Sequence, residues 1–291
     1  MKFKGACAGS FFAYNCFFFA SLFTYFVSMN LKRALFPVFC SLFALVSTGC
    51  INTHFQKLHM TASEAPEVHG ANTYQQPHSA SWRVTGKINS NTRRDVKITP
   101  ETSNSKNKSK ESVEPDWLYK MGGVEFTGKA DFFYKANSAF WGTGLGYNNG
   151  IYHHFSFGGN FSHVEFGFFI GVYLQNFDAD YVGEHCEVVL FSDDKCDSFS
   201  NESHGLSTSL FGGGFAGLIF GDFFLNYSLS IYAPSPEIEG GSPDLSGIHS
   251  NYFTMGYRFH WVEVSAGFVM SLVEGSIASY GFTGGLSFYL L

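Results

Sequence analysis

A two-residue alternation of apolar side chains dominates the second half of this sequence and limits what the chain can fold into. Between Val164 and Asn176, one set of alternate positions is wholly apolar, consisting of Val164, Phe166, Phe168, Ile170, Val172 and Leu174. Successive side chains of a β-strand point to opposite faces, so this period predicts a strand. The same rule predicts eight strands in all, over Ser138–Tyr147, Ile151–Phe161, Val164–Asn176, Leu206–Ile219, Phe223–Ala233, Asn251–Trp261, Val262–Val273 and Ile277–Leu291.

The scarcity of charge indicates which face of these strands meets which environment. Charged residues make up 14% of the chain, against about 25% in soluble domains, and only Lys195 and Arg258 are basic after residue 135. A water-facing exterior this poor in charge would be poorly soluble. We therefore expect the Phe-rich stripes to face lipid and the Gly, Ser and Asn positions to line a narrow lumen.

The predicted connections alternate in length as a membrane barrel requires. Residues 178–204 and 234–250 form long connections on one side, whereas short turns such as Gly221–Asp222 and Trp261/Val262 lie on the other. Outer-membrane barrels have short periplasmic turns and longer external loops. The prediction for residues 138–291 is thus all-β: an eight-stranded antiparallel up-and-down transmembrane β-barrel, with the preceding chain and the C-terminus in the periplasm.

This pattern resembles the class of small eight-stranded bacterial outer-membrane β-barrels. The aromatic last strand, Phe282–Leu291, is similar to the C-terminal strand by which such barrels are recognised, although it ends in Leu rather than Phe. The resemblance implies a location in the outer membrane of a Gram-negative cell, with outer-membrane lipid as the surrounding partner.

Residues 1–49 are expected to be an export signal. A charged start at Met29, an apolar run from Ala34 to Val46 and small residues before Cys50 follow the order of a secretory signal peptide. The end of this run, Val46 to Cys50, resembles the lipobox of bacterial lipoproteins, which implies lipidation of Cys50. Because Met29 opens a complete signal, it is also the expected true start. The alternative is that Phe11–Val27 is a transmembrane helix.

The chain between this signal and the predicted barrel is expected to be a tether. Residues 50–116 contain no sustained apolar period and are predicted to form a flexible periplasmic linker. Basic residues within it, including Arg93 and Arg94, could contact peptidoglycan, anionic lipid or a periplasmic protein, although a solvated linker is the favoured interpretation. Residues 117–137 are assigned to a pre-barrel segment outside the barrel.

Two further features of the strands suggest specific side-chain roles. Cys186 and Cys196 are ten residues apart in an exported polar stretch, which favours a disulfide; a metal site with His185 is the alternative.

Arg258, placed on the lumen face with Glu165 and Glu263, is expected to form an ionic cluster with them, because an isolated charge in a narrow barrel is costly.

A candidate catalytic pair lies on the second predicted strand. His154 and Ser156 resemble the His-x-Ser pair of outer-membrane lipid A deacylases, and Glu165 is a candidate to orient the imidazole. Against this reading, both fall on the lumen face, and Phe157 stands where those enzymes usually have Asn.

The sequence therefore favours a non-enzymatic envelope protein with a structural or surface-interaction role. It predicts no cofactor, no metal and no nucleic-acid partner, since the net charge is −6 and no long basic stripe is present. Two alternatives stay open: a lipid-modifying hydrolase that uses His154 and Ser156, and a soluble barrel that binds an apolar ligand.

Overall fold

The computed structural model describes residues 50–100, 115–188, 195–239 and 241–290, and the predicted signal segment 1–49 lies outside them. The described chain is all-β. Its strands are β1 (Cys50–Thr61), β2 (Ser79–Asn91), β3 (Arg94–Lys97), β4 (Asp116–Met121), β5 (Val124–Lys135), β6 (Ala139–Asn148), β7 (Gly150–Asn160), β8 (Val164–Val188), β9 (Lys195–Phe220), β10 (Phe223–Tyr232), β11 (Ile248–Phe259), β12 (Val262–Val273) and β13 (Ser276–Leu290).

The described residues include no helix that is long and apolar enough to cross a membrane.

Ten of these strands close into an antiparallel barrel. The order around it is β8-β7-β6-β5-β2-β13-β12-β11-β10-β9, and pairing between β9 and β8 completes the circle. The prediction of a barrel is confirmed, but the prediction of eight strands is wrong. The two additional strands are β2 and β5, which were assigned to the linker and to the pre-barrel segment.

The predicted flexible linker over residues 50–116 is also wrong wherever the structure describes it. β2 pairs along its length with both β13 and β5, and β1 pairs in parallel with β4 from Lys57 to Thr61. β2 does alternate, but its buried side carries Arg83, Thr85, Lys87 and Asn89 instead of small residues. Because its buried face carries charged residues, β2 was not recognised as a barrel strand from the sequence pattern.

The predicted orientation of the stripes is confirmed. Phe157, Phe168 and Ile170 are more than half exposed on the barrel exterior, whereas Glu165 and Tyr173 on the opposite face of β8 are fully buried. The strand β10 shows the same division, with Ser228 and Ser230 inside. The barrel is therefore apolar outside and polar inside.

The two ends of the barrel differ. At one, here called the turn end, short turns join β5 to β6, β7 to β8, β9 to β10 and β11 to β12, and β13 finishes there. At the other, the loop end, lie the long β10–β11 connection, the chain between β2 and β5, and the tight β6–β7 turn, where Asn149 adopts a positive φ of 48°. The long loop expected over residues 178–204 is mostly strand, because β8 runs to Val188 and β9 begins at Lys195.

Within the described chain, residues 50–54 and 183–199 form one compact unit and the remainder forms another. The smaller unit contains the disulfide between Cys186 and Cys196, which confirms the predicted bond. In the same unit, the Thr53 hydroxyl lies 3.1 Å from His185 Nδ1, and the His185 ring stacks on Phe199.

Candidate functional site: the occupied lumen

The barrel lumen is occupied by the protein's own chain. Residues 62–75, here called the lumen segment, link β1 to β2 without forming a strand or helix, and nearly all of them are buried. The segment starts at the loop end, where Asn149 Nδ2 donates to the Ser63 hydroxyl at 2.8 Å. It finishes at the turn end, where the Gln75 backbone N–H donates to Asn160 Oδ1. The chain therefore passes through the barrel before it forms the first barrel strand.

Lumen side chains satisfy the backbone of this segment at successive depths. The hydroxyls of Tyr252, Ser228 and Tyr289 donate to the carbonyls of Ala65, Val68 and Ala71, respectively. A buried carbonyl without a partner is costly, so hydroxyls on the barrel wall perform the function that a sheet ladder would perform elsewhere. These contacts hold the segment along its length.

Charged groups provide the strongest contacts, and most of the cations come from β2 and β5. Lys87 Nζ lies 2.7 Å from Glu67 Oε2, and Lys129 Nζ donates to the Glu67 backbone carbonyl. Arg83 is fully buried and donates to both the Gly70 carbonyl at 2.6 Å and Asp131 at 2.7 Å. Acceptors on the segment thus compensate a row of cations on one wall of the barrel.

A carboxylate on another strand, that of Glu165 on β8, holds the part of the segment nearer the turn end. Glu165 accepts hydrogen bonds from the backbone N–H groups of Ala71 and Asn72 at 3.0 and 2.9 Å. Glycine at position 70 allows this close approach, since an added Cβ would lie 2.5 Å from the Glu165 carboxylate and would displace it. A charged acceptor of two backbone donors forms a strong anchor.

The predicted ionic cluster of Arg258, Glu165 and Glu263 forms only in part. Arg258 lies 4.0 Å from Glu263 and stacks over the Tyr289 ring at 4.2 Å. Glu165, by contrast, binds the lumen segment and Asn160. Arg258 is also accompanied by other buried cations, because β2 and β5 contribute Arg83, Lys87, Lys129 and Lys135.

The candidate catalytic residues are buried but are not arranged as a triad. His154 Nε2 lies 3.8 Å from Asp131 Oδ1. Neither His154 Nδ1 nor the Ser156 hydroxyl has a hydrogen-bond partner among the described residues. Glu165 is engaged by the lumen segment, so the geometry that would activate a serine is not assembled.

The remaining predicted sites lie on the outside or beyond the described chain. The thiolates needed for a metal at His185 are consumed by the Cys186–Cys196 bond, although Glu184 lies close to both sulfurs. Arg94, expected to contact an envelope partner, stacks over Tyr280 at 5.2 Å. Cys50 is the first residue of β1.

Little space is left beside the central ion pair. A cavity lined by Glu67, Lys87 and Lys129, among others, has a volume of about 20 Å³, enough for about one water molecule. The lumen segment therefore acts as a plug around Glu67.

Sequence reasoning missed the lumen segment. Its small residues, Ala65, Gly70 and Ala71, fit a narrow interior, and its carboxylates match the cations of β2 and β5. That match is between residues far apart in sequence and is recognisable only once the strands are known.

Together these features define the class of the fold: a closed ten-stranded β-barrel that is apolar outside, polar inside and filled by its own N-terminal chain. Among solved structures, an outer membrane channel from Pseudomonas putida F1 is similar at a TM-score of 0.43 and 9% sequence identity, over 77% of this chain and 100% of that one. No protein-family model matches the chain, and no curated protein sequence matches it.

Proposed function

We propose that this protein is an outer-membrane β-barrel with a structural or surface-interaction role, closed by its own lumen segment. The main support is the apolar exterior of the barrel. Side chains such as Phe157, Phe168 and Leu145 are more than half exposed there, whereas charged side chains of the barrel strands such as Arg83 point into the lumen. An apolar surface of this extent requires lipid in place of water.

Aromatic side chains at both ends support the same proposal. Trp82, Trp141 and Trp261 are all exposed at the turn end, and Tyr147 and Tyr280 are exposed near the loop end. Membrane barrels carry such aromatic girdles at the two lipid–water interfaces. The band between them is the part proposed to lie in hydrocarbon.

The same observations weigh against the two alternatives. A soluble barrel with an apolar ligand would have an apolar interior, yet this lumen is lined by Arg83, Asp131 and Glu165 and is already filled. A hydrolase that uses His154 and Ser156 would need a reachable hydroxyl, and Ser156 is buried on the lumen side.

Membrane fractionation combined with gel mobility tests the proposal. The protein is expected in the outer-membrane fraction, and its band is expected to migrate differently before and after boiling, because a closed barrel resists detergent unfolding. Recovery in the soluble fraction, or one band position under both conditions, would contradict it.

A charge on the exterior gives a sharper test. Phe168 lies near the middle of the exposed apolar stretch of β8, from Val164 to Leu174, so Phe168→Lys is expected to destabilise the inserted barrel by about 2–4 kcal/mol. The matched variant Phe168→Leu keeps the surface apolar and is expected to insert normally. Equal stability of the two variants in lipid would show that this face does not contact hydrocarbon.

A further inference from the structure

The path of the lumen segment has a consequence for which side of the membrane the N-terminal chain occupies. β2 begins and β13 finishes at the turn end, as expected for an even number of strands. β1, however, meets the barrel at the loop end, where Thr61 is hydrogen-bonded to Asp178. Thr61 at the end of β1 and Leu290 at the end of β13 therefore lie at opposite ends of the barrel.

We infer that residues 55–61 of β1 are displayed on the outer face of the outer membrane, and that the lumen segment links them through the barrel to β2. The inference rests on the proposed function and on the rule that short turns are periplasmic and long loops external. It replaces the expectation of a periplasmic N-terminus.

The dimensions of the segment agree with a complete crossing. Fourteen residues, 62–75, span at most about 46–50 Å when extended, and the apolar band of a membrane barrel is about 25 Å tall. Contacts at every depth fix the direction, from Ser63 beside Asn149 at the loop end, through Glu67 at Lys87, to Gln75 beside Asn160. A segment that merely dipped into the lumen and returned would not reach Asn160.

The inference also determines the membrane leaflet that a lipid on Cys50 would enter. Cys50 is five residues ahead of Phe55, a reach of at most about 18 Å, which is too short to return across the membrane. If Cys50 carries acyl chains, they must insert from the outer face. Lipidation would then produce a surface-anchored protein and not a periplasmic one.

Cysteine accessibility on intact cells tests this arrangement. The parent carries Cys186→Ser and Cys196→Ser and keeps Cys7, Cys16, Cys40 and Cys50. One further cysteine is added in each variant, as Lys57→Cys on β1, Asp244→Cys on the β10–β11 loop, or Asp222→Cys at the turn end, and labelling is assigned to the added position by peptide mass spectrometry. A membrane-impermeant maleimide is applied before and after the outer membrane is permeabilised. We expect positions 57 and 244 to be labelled at least tenfold above the parent on intact cells, and position 222 only after permeabilisation.

Each other outcome overturns a defined part of the inference. Labelling at 244 but not at 57 on intact cells would show that the chain does not pass through the barrel. Labelling at 222 alone would reverse the orientation of the whole barrel. Fractionation and the boiling shift of each variant are measured in parallel, so a variant that fails to fold, or a protein absent from the outer membrane, is recognised as failure of the proposed function instead. An endogenous soluble periplasmic protein must stay unlabelled in intact cells.

Discussion

Single buried charges in this barrel are tolerated because each has a partner supplied from another part of the chain. Arg83 is the clearest example, since its guanidinium joins the Gly70 carbonyl on the lumen segment to Asp131 on β5. Removing one partner from a buried pair leaves the other uncompensated, which is the costly situation. The residue thus binds the plug to the wall.

Substitution of Arg83 is expected to destabilise the folded barrel strongly. Arg83→Met should lower the free energy of unfolding by about 3–5 kcal/mol, because Asp131 would then be left buried with fewer partners. Arg258→Met is the matched control, since Arg258 is partly exposed and lies 4.0 Å from Glu263, and we expect a clearly smaller loss. Urea unfolding in lipid vesicles measures both, and equal losses would contradict the assigned role of Arg83.

A pH effect is expected on β8, beyond the last exposed apolar residue of that strand. The hydrogen bond from Lys57 lowers the pKa of the Asp180 carboxyl from 3.8. Because the folded-state pKa is depressed, the stabilisation is present above pH 3.8 and is lost as the pH falls through the folded-state value. Carboxyl chemical shifts should therefore titrate below pH 3.8, and Lys57→Met should raise the midpoint towards the ordinary value, since His59 and Lys120 still lower the pKa of Asp180. An unchanged midpoint in that variant would show that the ion pair does not form.

At the scale of elements, glycines in the strands set how closely neighbours approach. At Gly213 on β9, a Cβ would lie 1.9 Å from the Leu229 carbonyl oxygen of β10, and backbone cannot move aside cheaply. At Gly86 on β2, nothing lies within 4 Å of the same atom. The two positions form a natural comparison.

Alanine at these two glycines is expected to give different results. Gly213→Ala should cost about 1–3 kcal/mol through overpacking, whereas Gly86→Ala should be close to neutral. The temperature at which the folded band disappears on unboiled gels reports the difference. A Gly86 variant as unstable as the Gly213 variant would indicate that backbone preference, not space, controls these sites.

Strands differ in how readily the sequence alone predicts them. β8 and β10 were predicted because one face of each is continuously apolar, whereas the lumen faces between residues 165 and 175 and between 224 and 232 mix Gly, Ser, Asn, Gln and aromatic residues with a single charge, Glu165. β2 and β5 have equally regular faces, but their lumen sides carry Arg83, Lys87, Lys129 and Asp131, which resemble the surface of a solvated linker. Those charges are acceptable only because the lumen segment and the barrel wall neutralise them, and no local pattern records that long-range contact.

The sequence also predicted only some of the lumen contacts and the disulfide. The disulfide followed from two cysteines in an exported chain, and the proximity of Arg258 to Glu263 followed from their shared face. The role of Glu165 did not, because its partners are backbone N–H groups of residues 71 and 72 that were assigned to a flexible tether.

For the whole molecule, we expect the lumen segment to determine whether the barrel conducts ions. The described wall carries five cations on its inner face, Arg83, Lys87, Lys129, Lys135 and Arg258, against four carboxylates, Glu125, Asp131, Glu165 and Glu263, and the segment adds the carboxylates of Glu64 and Glu67. With the segment in place, only about one water fits beside Glu67. The native protein is thus expected to conduct poorly.

Neutralising both carboxylates is expected to loosen the plug and reveal the charge of the wall. In planar bilayers, Glu64→Gln with Glu67→Gln should open several-fold more often than the native protein, because Lys87 loses its ionic partner and Asn91 loses a charged acceptor. The open state should favour anions, since the wall cations are then undercompensated and attract negative ions. Glu202→Gln with Glu237→Gln, two exposed acids, makes the same charge change outside the lumen and should behave like the native protein. A reversal potential of cation-selective sign in a salt gradient, or frequent opening of the native barrel, would mean that the segment does not control the pore.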